Sequence, residues 1–315
     1  MSSVAWARLW GGVLSALEPL LGETDWLPIR RGRALVDGGD AERAILYLHR
    51  ALAHRPADPW LHYHAGRAAQ AKGLNRQARA RFAHAAALVP DEPTFRFALG
   101  YALRLEGHLG AAAREYALAL IAVPDDPRIL FNLGVVERDR GRLAQAQAHL
   151  ERVVAKWPRD VRALYTLGVC AFERKDFDTA EGALRRALRR QPGHHKAKYQ
   201  TALMALERGD REGGQHLLRR VLLLRPGYGP AHYALGRTLL DADPGRAHHH
   251  LREAILGKPA MLRAHLDLAR LHERAGRLTE ARNEYVLFLR HHPDASAEGV
   301  RAKVATLDAH IGQAA

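Results

Sequence analysis

The sequence has a single cysteine, Cys170, among its 315 residues. One cysteine cannot build an internal disulfide framework or a cysteine-based zinc site, and it fits a reducing compartment. No apolar run approaches the ~18 residues that span a bilayer, and the first residues lack the small-x-small cleavage site of a secretory signal. We therefore expect a cytoplasmic protein, in which Cys170 is a buried, inert thiol rather than a nucleophile.

Patterns that would indicate catalysis are also missing. No glycine-rich phosphate loop follows a strand, and no Ser/His/Asp arrangement can be singled out. Histidine is abundant, with runs at His194-His195, His248 to His250 and His291-His292. Three consecutive helical histidines point about 100° apart, however, whereas a helical metal pair needs i and i+4 spacing. The sequence thus predicts neither an enzyme nor a cofactor or metal site.

Lysine is scarce, yet the chain is strongly basic. Only seven of the 48 basic residues are lysines, and 34 acidic residues leave a formal net charge of +14. Such a charge suits nucleic acid, an anionic membrane or an acidic protein as partner, and it equally suits the arginine-rich composition that a GC-rich bacterial genome encodes. The basic residues do not gather into the runs or modules of a dedicated nucleic-acid binder, which disfavours nucleic acid.

The chain repeats itself with a regular period. Prolines recur at spacings of 34 residues, with one spacing of 33, at Pro56, Pro90, Pro124, Pro158, Pro192, Pro226, Pro259 and Pro293. When each proline is numbered position 32, position 8 is glycine in six of eight units, position 20 is alanine or glycine in all eight, and position 24 is Leu, Phe or Tyr. Small residues at 8 and 20 predict two helices, A and B, that cross closely in each unit.

Signals for helix ends agree with this period. Asp58-Pro59, Glu92-Pro93 and Asp126-Pro127 place an acid and a proline where helix A begins, and glycine recurs at position 15, where a left-handed residue closes a helix. The predicted joints between helices A and B lie near Gly39, Gly73, Gly107, Gly141, Lys175, Gly209, Gly245 and Gly276. Repeats six and seven depart most from the pattern, which fits either ordinary drift or a bend in the stack.

These residues resemble those of the tetratricopeptide repeat family, whose 34-residue units have small residues at 8 and 20, a large one at 24 and proline at 32. The resemblance covers Asp25 to Pro293. It implies an all-α, right-handed superhelical solenoid of eight antiparallel helix pairs at 25–294, with capping helices at 1–24 and 295–315. It further implies a non-catalytic scaffold or adaptor that holds a protein or peptide in a concave groove.

Both ends carry apolar stripes. Val300, Val304, Leu307 and Ile311 form one in the tail, which predicts a solvating last helix. At the N-terminus the stripe is Trp6, Trp10, Val13, Leu14, Leu17 and Leu21, with few charges opposite. This segment is interpreted either as a cap on repeat one or as a helix that contacts a membrane surface or a partner.

The resemblance also implies which residues line the groove, since family members use helix-A positions 2, 5, 9 and 12. These are Trp26, Trp60, Arg128, Arg162, Lys196 and Arg263 at position 2; Tyr63, Phe97, Phe131, Tyr165, Tyr199 and Tyr233 at position 5; Arg33, Arg67, Tyr101, Arg237 and Arg270 at position 9; and Arg104 and Arg138 at position 12. Aromatic rings with basic edges suit an acidic or aromatic peptide, although position 5 is also aromatic for packing.

Helical spacing predicts contacts within this set. Positions 2 and 5 lie three residues apart on one face, so we expect Arg128 beside Phe131, Arg162 beside Tyr165 and Lys196 beside Tyr199. The Lys/Asn pattern of family members that clamp chaperone C-termini is absent, which disfavours that role.

Overall fold

A computed structural model describes residues 27–257, 262–291 and 297–314. The predicted N-terminal helix at 1–24 and Trp26 lie outside these residues. Within them the chain forms seventeen helices and no strand, which confirms the all-α prediction. The helices are α1 (Leu27–Asp37), α2 (Ala41–His54), α3 (Pro59–Ala71), α4 (Asn75–Leu88), α5 (Pro93–Leu105), α6 (Leu109–Ala122), α7 (Pro127–Asp139), α8 (Leu143–Lys156), α9 (Val161–Glu173), α10 (Phe177–Arg190), α11 (His195–Glu207), α12 (Arg211–Leu224), α13 (Gly229–Leu239), α14 (Pro244–Gly257), α15 (Leu262–Arg274), α16 (Leu278–His291) and α17 (Glu298–Ala314).

The chain divides into two compact units, Met1–Arg174 and Lys175–Ala315. The described part of the first unit holds α1 to α9, and the second holds α10 to α17. Within each unit, every helix packs against the next along the chain, and the odd-numbered helices up to α15 are the A helices of successive repeats. The order of the described helices therefore follows the 34-residue period of the sequence.

Helix starts and ends form as their residues predict. The carboxylates of Asp58, Asp126 and Asp160 accept hydrogen bonds from backbone N–H groups in the first turns of α3, α7 and α9. The joints after six A helices have a glycine with φ between +72° and +85°. At the fifth joint Lys175 takes this left-handed conformation, with φ +64°, which costs a residue with a Cβ about 1–2 kcal/mol.

The position-8 glycine allows the position-24 side chain to lie directly against the backbone of helix A. A Cβ placed on Gly66 would lie 2.6 Å from the Phe82 ring, and one on Gly100 would lie 2.8 Å from the Tyr116 ring. Phe82 and Tyr116 are fully buried. The close helix crossing predicted from the small residues is confirmed, and the dispersion contacts of the large ring offset the entropy that glycine loses.

Repeat six exchanges the two small residues. Ala202 stands at position 8 and Gly214 at position 20, and a Cβ on Gly214 would lie 2.5 Å from Leu206 and 3.3 Å from the Ala202 carbonyl oxygen. The glycine has moved to helix B, but the close approach remains. α12 runs unbroken through Gly213 and Gly214.

In repeat seven the joint between the helices differs from the prediction. Gly245 does not join the helices, because it is the second residue of α14. The joint lies before Pro244, and the Asp243 carboxylate accepts from the Arg246 N–H at 2.9 Å. The shortened turn "DADPGR" leaves no room for a left-handed glycine, so an acid and a proline begin helix B directly.

The side chain at position 4 of helix A can donate a hydrogen bond to the carbonyl of the proline that ends the preceding repeat. The Nε2–H groups of His62 and His232 donate to the Pro56 and Pro226 carbonyls at 2.8 and 2.7 Å. In repeat three, Arg96 Nε donates to the Pro90 carbonyl at 2.9 Å. The proline carbonyl, which lies just beyond the end of helix B, thus obtains a donor from the next helix A.

The last helix lies on repeat eight. Leu307 is buried, and Val300 and Val304 pack with it on a cluster that includes Ala281 and Tyr285. On its outer side Arg282 Nε donates to Asp308 at 2.8 Å. The apolar stripe of α17 therefore covers the final pair of helices.

Candidate functional site

The predicted groove residues fall into both units. The first unit holds Arg33, Trp60, Tyr63, Arg67, Phe97, Tyr101, Arg104, Arg128, Phe131, Arg138, Arg162 and Tyr165, and the second holds Lys196, Tyr199, Tyr233, Arg237, Arg263 and Arg270. Within each unit these residues lie on successive A helices. We call these residues of each unit its helix-A face and describe the two units separately.

The position-5 rings are half-buried and rest on the core. Tyr63 lies 5.9 Å from Phe82 between ring centroids, and Phe97 lies 5.7 Å from Tyr116. Trp60 meets Phe95 edge-on at 4.8 Å. One side of the Tyr63 and Phe97 rings packs inward, so part of the aromatic column is structural.

Two arginines stack on the rings of the preceding repeat. The Arg128 guanidinium lies 6.0 Å from the Phe97 centroid, and that of Arg162 lies 5.6 Å from the Phe131 centroid. These contacts lie one repeat before the rings that spacing predicts, and the pairs Arg128 with Phe131 and Arg162 with Tyr165 stay predictions. Side chains lean toward the N-terminus of their helix, so an arginine in the first turn reaches back across the repeat boundary.

The N-cap carboxylates hold these arginines in place. Arg128 Nε and Nη2 donate to the two oxygens of Asp126 at 3.2 and 2.8 Å, and Arg162 Nη2 donates to Asp160 at 3.3 Å. Burial alone would raise the pKa of Asp126, but the Arg128 guanidinium and backbone hydrogen bonds outweigh it and lower the pKa. The arginine side chains remain 77% and 78% exposed, so their other N–H groups are open to a ligand.

Near the start of the first unit, two arginines share one carboxylate. Arg33 Nε lies 3.5 Å from Asp37, and Arg67 Nη2 lies 3.3 Å from it. The buried His64 stands beside them, and burial first, then the charges of Arg67 and Arg33, lower the pKa of His64 to about 4. This cluster keeps an excess of one positive charge.

Position 12 adds two arginines to the first unit. The Arg104 guanidinium lies 5.1 Å from the Tyr101 centroid in its own helix. Arg138 donates to the neighbouring Asp139 at 2.9 Å. The second of these is neutralised by its partner.

The second unit also has two arginines that share one carboxylate. The buried Asp267 lies 3.9 Å from Arg237 Nε and 3.4 Å from Arg270 Nη1, and Arg237 also stands 5.9 Å from the Tyr233 centroid. Burial, followed by the Asp267 carboxylate, raises the pKa of Tyr233, which the charges of Arg237 and Arg263 partly oppose.

The Tyr199 ring contacts the Tyr228 ring. Its centroid lies 5.5 Å from that of Tyr228, edge-on, and Tyr228 also meets His195 at 5.2 Å. Lys196 is exposed in the first turn of α11. Burial, with the nearby charges of Arg225, His194 and Lys196, lowers the pKa of His195.

Sequence reasoning missed the acids and the histidine of these clusters. Asp37 stands at position 13, Asp267 at position 6 and His64 at position 6, none of which belongs to the predicted lining. The available signal was an acid placed four residues after Arg33 and three residues before Arg270, spacings that allow ion pairs on one helix.

The remaining candidates outside the helix-A face are explained by packing. Cys170 is fully buried, its thiol donates to the Leu143 carbonyl at 3.3 Å, and burial raises its pKa to about 11. His250 meets His232 Nδ1 to Nδ1 at 3.1 Å, and the His248 ring meets that of His272 at 5.2 Å. Across the described ranges, no three His, Cys, Asp or Glu side chains converge as metal ligands would.

Comparison with known families accounts for the period. Two sequence profiles described as tetratricopeptide repeat match residues 131–195 and residues 35–96 and 239–304, more than half of the chain. The chain belongs to the tetratricopeptide repeat family. No curated protein matches the sequence significantly.

Solved structures show the same tetratricopeptide repeat fold at low identity. The chain is similar to the APC/C hetero-tetramer Cut9-Hcn1, with a TM-score of 0.62, 18% identity and 84% of this chain covered, and it spans about half (52%) of that chain. It is similar to YrrB, described as a TPR protein with an unusual peptide-binding site, with a TM-score of 0.53, 19% identity and coverage of 59% of this chain and 96% of that one. It is also similar to human IFIT1 with PPP-AAAA, with a TM-score of 0.50, 18% identity and coverage of 86% and 74%.

Among the helices of residues 27–257, 262–291 and 297–314, none combines the length and the apolar character needed to span a bilayer.

Proposed function

We propose that this tetratricopeptide repeat protein is a non-catalytic scaffold that binds acidic, extended segments of a partner protein on the helix-A face of each unit. The observation that carries this proposal is the pair of clusters in which two arginines share one carboxylate, Arg33 and Arg67 with Asp37, and Arg237 and Arg270 with Asp267. Each cluster has one cation more than it has anions, so a partner carboxylate completes it.

The chemistry of guanidinium supports this reading. A guanidinium has five N–H donors, and the bidentate contact with Asp126 uses two of those on Arg128. The remaining donors can bind a carboxylate or a backbone carbonyl of the partner. Charge-assisted hydrogen bonds of this kind contribute about 1.5–3 kcal/mol each where water is excluded.

Aromatic rings beside the arginines supply contact area. Tyr63, Phe97 and Phe131 are half-buried, and Tyr63 and Phe97 are fixed by contacts of their inner sides with the core. A ligand that covers these two rings therefore loses little side-chain entropy on binding. Among the similar structures, YrrB is described as having a peptide-binding site, which fits this mode of recognition. IFIT1 is described with PPP-AAAA, so RNA is the competing ligand that the experiment must include.

Affinity capture with cross-linking mass spectrometry tests the proposal. The full chain is used as bait, captured partners are identified, and cross-links map the contact. The proposal expects a protein partner whose cross-linked segment is acidic and lies near the A helices. Recovery of nuclease-sensitive complexes, or cross-links confined to the B helices, would contradict it.

Affinity measured with a peptide of the captured segment completes the test. Arg33→Gln with Arg67→Gln removes both positive charges of the first cluster and leaves the Asp37 carboxylate unpaired, so binding should weaken because that carboxylate repels the carboxylate of the partner. Arg76→Gln with Arg114→Gln is the matched control, since these exposed arginines lie on the B helices α4 and α6. An equal loss of affinity in both variants would show that binding depends only on the net charge of the chain and would contradict the proposal.

A further inference from the structure

The second unit exposes two leucines at the same place in neighbouring repeats. Leu223 in α12 is 83% exposed and Leu256 in α14 is 71% exposed. Each lies in the last two residues of its B helix, at position 29 of the repeat once the deletion in repeat seven is counted. Other repeats have alanine or arginine there, apart from Ile121 in repeat three.

The ends of these two helices meet. A Cβ on Gly257, the residue after Leu256, would lie 3.1 Å from the Gly227 carbonyl oxygen in the loop that follows α12. On the inner side, Leu218 of α12 and Leu251 of α14 belong to one buried cluster. The exposed leucines therefore lie on the outer side of a single packed junction.

Arginines stand one turn before each leucine. Arg219 and Arg220 precede Leu223 by four and three residues, and Arg252 precedes Leu256 by four, spacings that share a helix face. Arg219 and Arg220 are exposed, and neither forms an ion pair with a described carboxylate. Arg252 lies 3.8 Å from Glu284.

Positive charge accumulates around these arginines. The sequence from Gly213 to Leu240 contains no acidic residue. Burial, and then the charge of Arg220, lowers the pKa of Lys198 on the adjacent helix α11. Arg252 has Glu284 and Glu253 nearby, but Arg219 and Arg220 have no acidic residue in their own segment, and such an excess of like charge favours an anionic ligand.

We propose that Arg219, Arg220, Leu223, Leu224, Arg252 and Leu256, together the α12–α14 surface, dock on an anionic lipid bilayer. The surface combines cations with exposed aliphatic side chains. Arginine binds lipid phosphate in bidentate fashion, and leucine gains by entering the boundary between headgroups and acyl chains. This proposal is independent of the helix-A face.

The same combination argues against other occupants. A nucleic acid would neutralise the arginines but leave Leu223 and Leu256 in water. A stable protein interface needs about 20–30 residues a side, whereas the apolar part of this surface is three leucines. A bilayer has no such requirement, because it demands no complementary shape.

Co-sedimentation with vesicles tests the proposal on the full chain. The two compositions are phosphatidylcholine alone and phosphatidylcholine with about one third phosphatidylglycerol, at low and high salt. Binding is expected to the anionic vesicles and to weaken in salt. Arg219→Gln with Arg220→Gln should lower partitioning about tenfold or more, since each basic residue contributes about 1 kcal/mol at an anionic surface.

Substitution of the exposed leucines gives the decisive comparison. Leu223→Ser with Leu256→Ser should lower partitioning at least several-fold while the melting temperature stays unchanged, because both side chains are exposed. Ile121→Ser is the matched control, since Ile121 is 75% exposed at position 29 without an arginine one turn before it. Arg76→Gln with Arg114→Gln controls for net charge.

Three results would overturn the proposal: equal binding to neutral and anionic vesicles, no binding to either, or partitioning that the arginine variant abolishes and the leucine variant leaves intact. In the third case, competition by single-stranded nucleic acid would identify a general polyanion site instead.

Discussion

The Arg162 guanidinium lies 5.6 Å from the centroid of the Phe131 ring, one repeat earlier in the chain, and its Nη2 donates to the Asp160 carboxylate that caps its own helix. Arg128 has the same relationship with Phe97 and Asp126. A helix cap and an aromatic ring of the preceding repeat thus fix the direction of a long side chain. The arginine is presented to a ligand with little of its rotamer freedom left to lose.

This arrangement predicts that the capping acids compete with an acidic ligand. Asp126→Asn with Asp160→Asn keeps a side-chain oxygen for the N-cap but removes both charges that hold the arginines. Affinity for an acidic partner peptide should rise about two- to fivefold, measured by titration calorimetry. Asp58→Asn is the control, because Asp58 caps α3 and pairs with Arg55 at 3.5 Å rather than with a position-2 arginine. Weaker binding of the double variant would contradict the competition.

The position-8 glycine predicts a reversal of helix propensity. Alanine normally stabilises a helix by about 1 kcal/mol relative to glycine, but a Cβ on Gly100 would lie 2.8 Å from the Tyr116 ring. Gly100→Ala should therefore lower the free energy of unfolding by about 1–3 kcal/mol through overpacking, and Gly100→Leu by more. Gly182→Ala in α10, where a Cβ meets nothing within 4 Å, should be neutral or stabilising. Urea unfolding separates the two, and equal effects would remove the close-contact argument.

Lys175 predicts a stabilising substitution. Its φ of +64° is in the left-handed region, which costs about 1–2 kcal/mol for a residue with a Cβ. Lys175→Gly relieves this strain and loses an exposed ion pair with Glu207, worth about 0–1 kcal/mol. The melting temperature should rise, whereas Arg174→Gly, at a right-handed position with φ −81°, should leave it unchanged or lower it. A fall for Lys175→Gly would show that the joint tolerates the side chain without strain.

His64 predicts loss of stability in acid. Its pKa is lowered to about 4 in the folded chain by burial and by Arg67 and Arg33, while the unfolded chain titrates near 6.5. The unfolded state therefore binds the proton first, and stability present above pH 6.5 declines as the pH falls toward 4, by about 3 kcal/mol at most. His64→Gln should flatten this part of the pH profile of unfolding, whereas substitution of the exposed His49 should not. Parallel profiles for both variants would exclude His64 as the cause.

The repeat scaffold could be predicted from the sequence because its determinants are local and periodic. Gly66 and Phe82 stand sixteen residues apart in one unit, and this small-to-large spacing recurs in nearly every repeat. Gly245 departs from the periodic pattern, because a one-residue deletion changed the turn and moved the glycine into a helix.

The geometry of the helix-A face was harder to predict from the sequence. Spacing placed Arg128 and Phe131 on one helix face correctly, but the direction of a long side chain in a first turn depends on its cap and on the preceding repeat. Asp37 and Asp267 draw arginines from two repeats, and such a contact needs the distance between neighbouring helices, which a one-dimensional pattern does not contain.

Affinity for the captured partner segment is the most direct test of the helix-A face as the binding surface. Two double variants are compared with the wild type, Arg162→Glu with Tyr165→Ala on helix α9 and Arg185→Glu with Arg189→Glu on helix α10. The first should weaken binding at least about tenfold with unchanged circular dichroism, and the second should change it little. Unchanged affinity in the first variant, or an equal loss in both, would contradict the assignment of partner binding to the helix-A face.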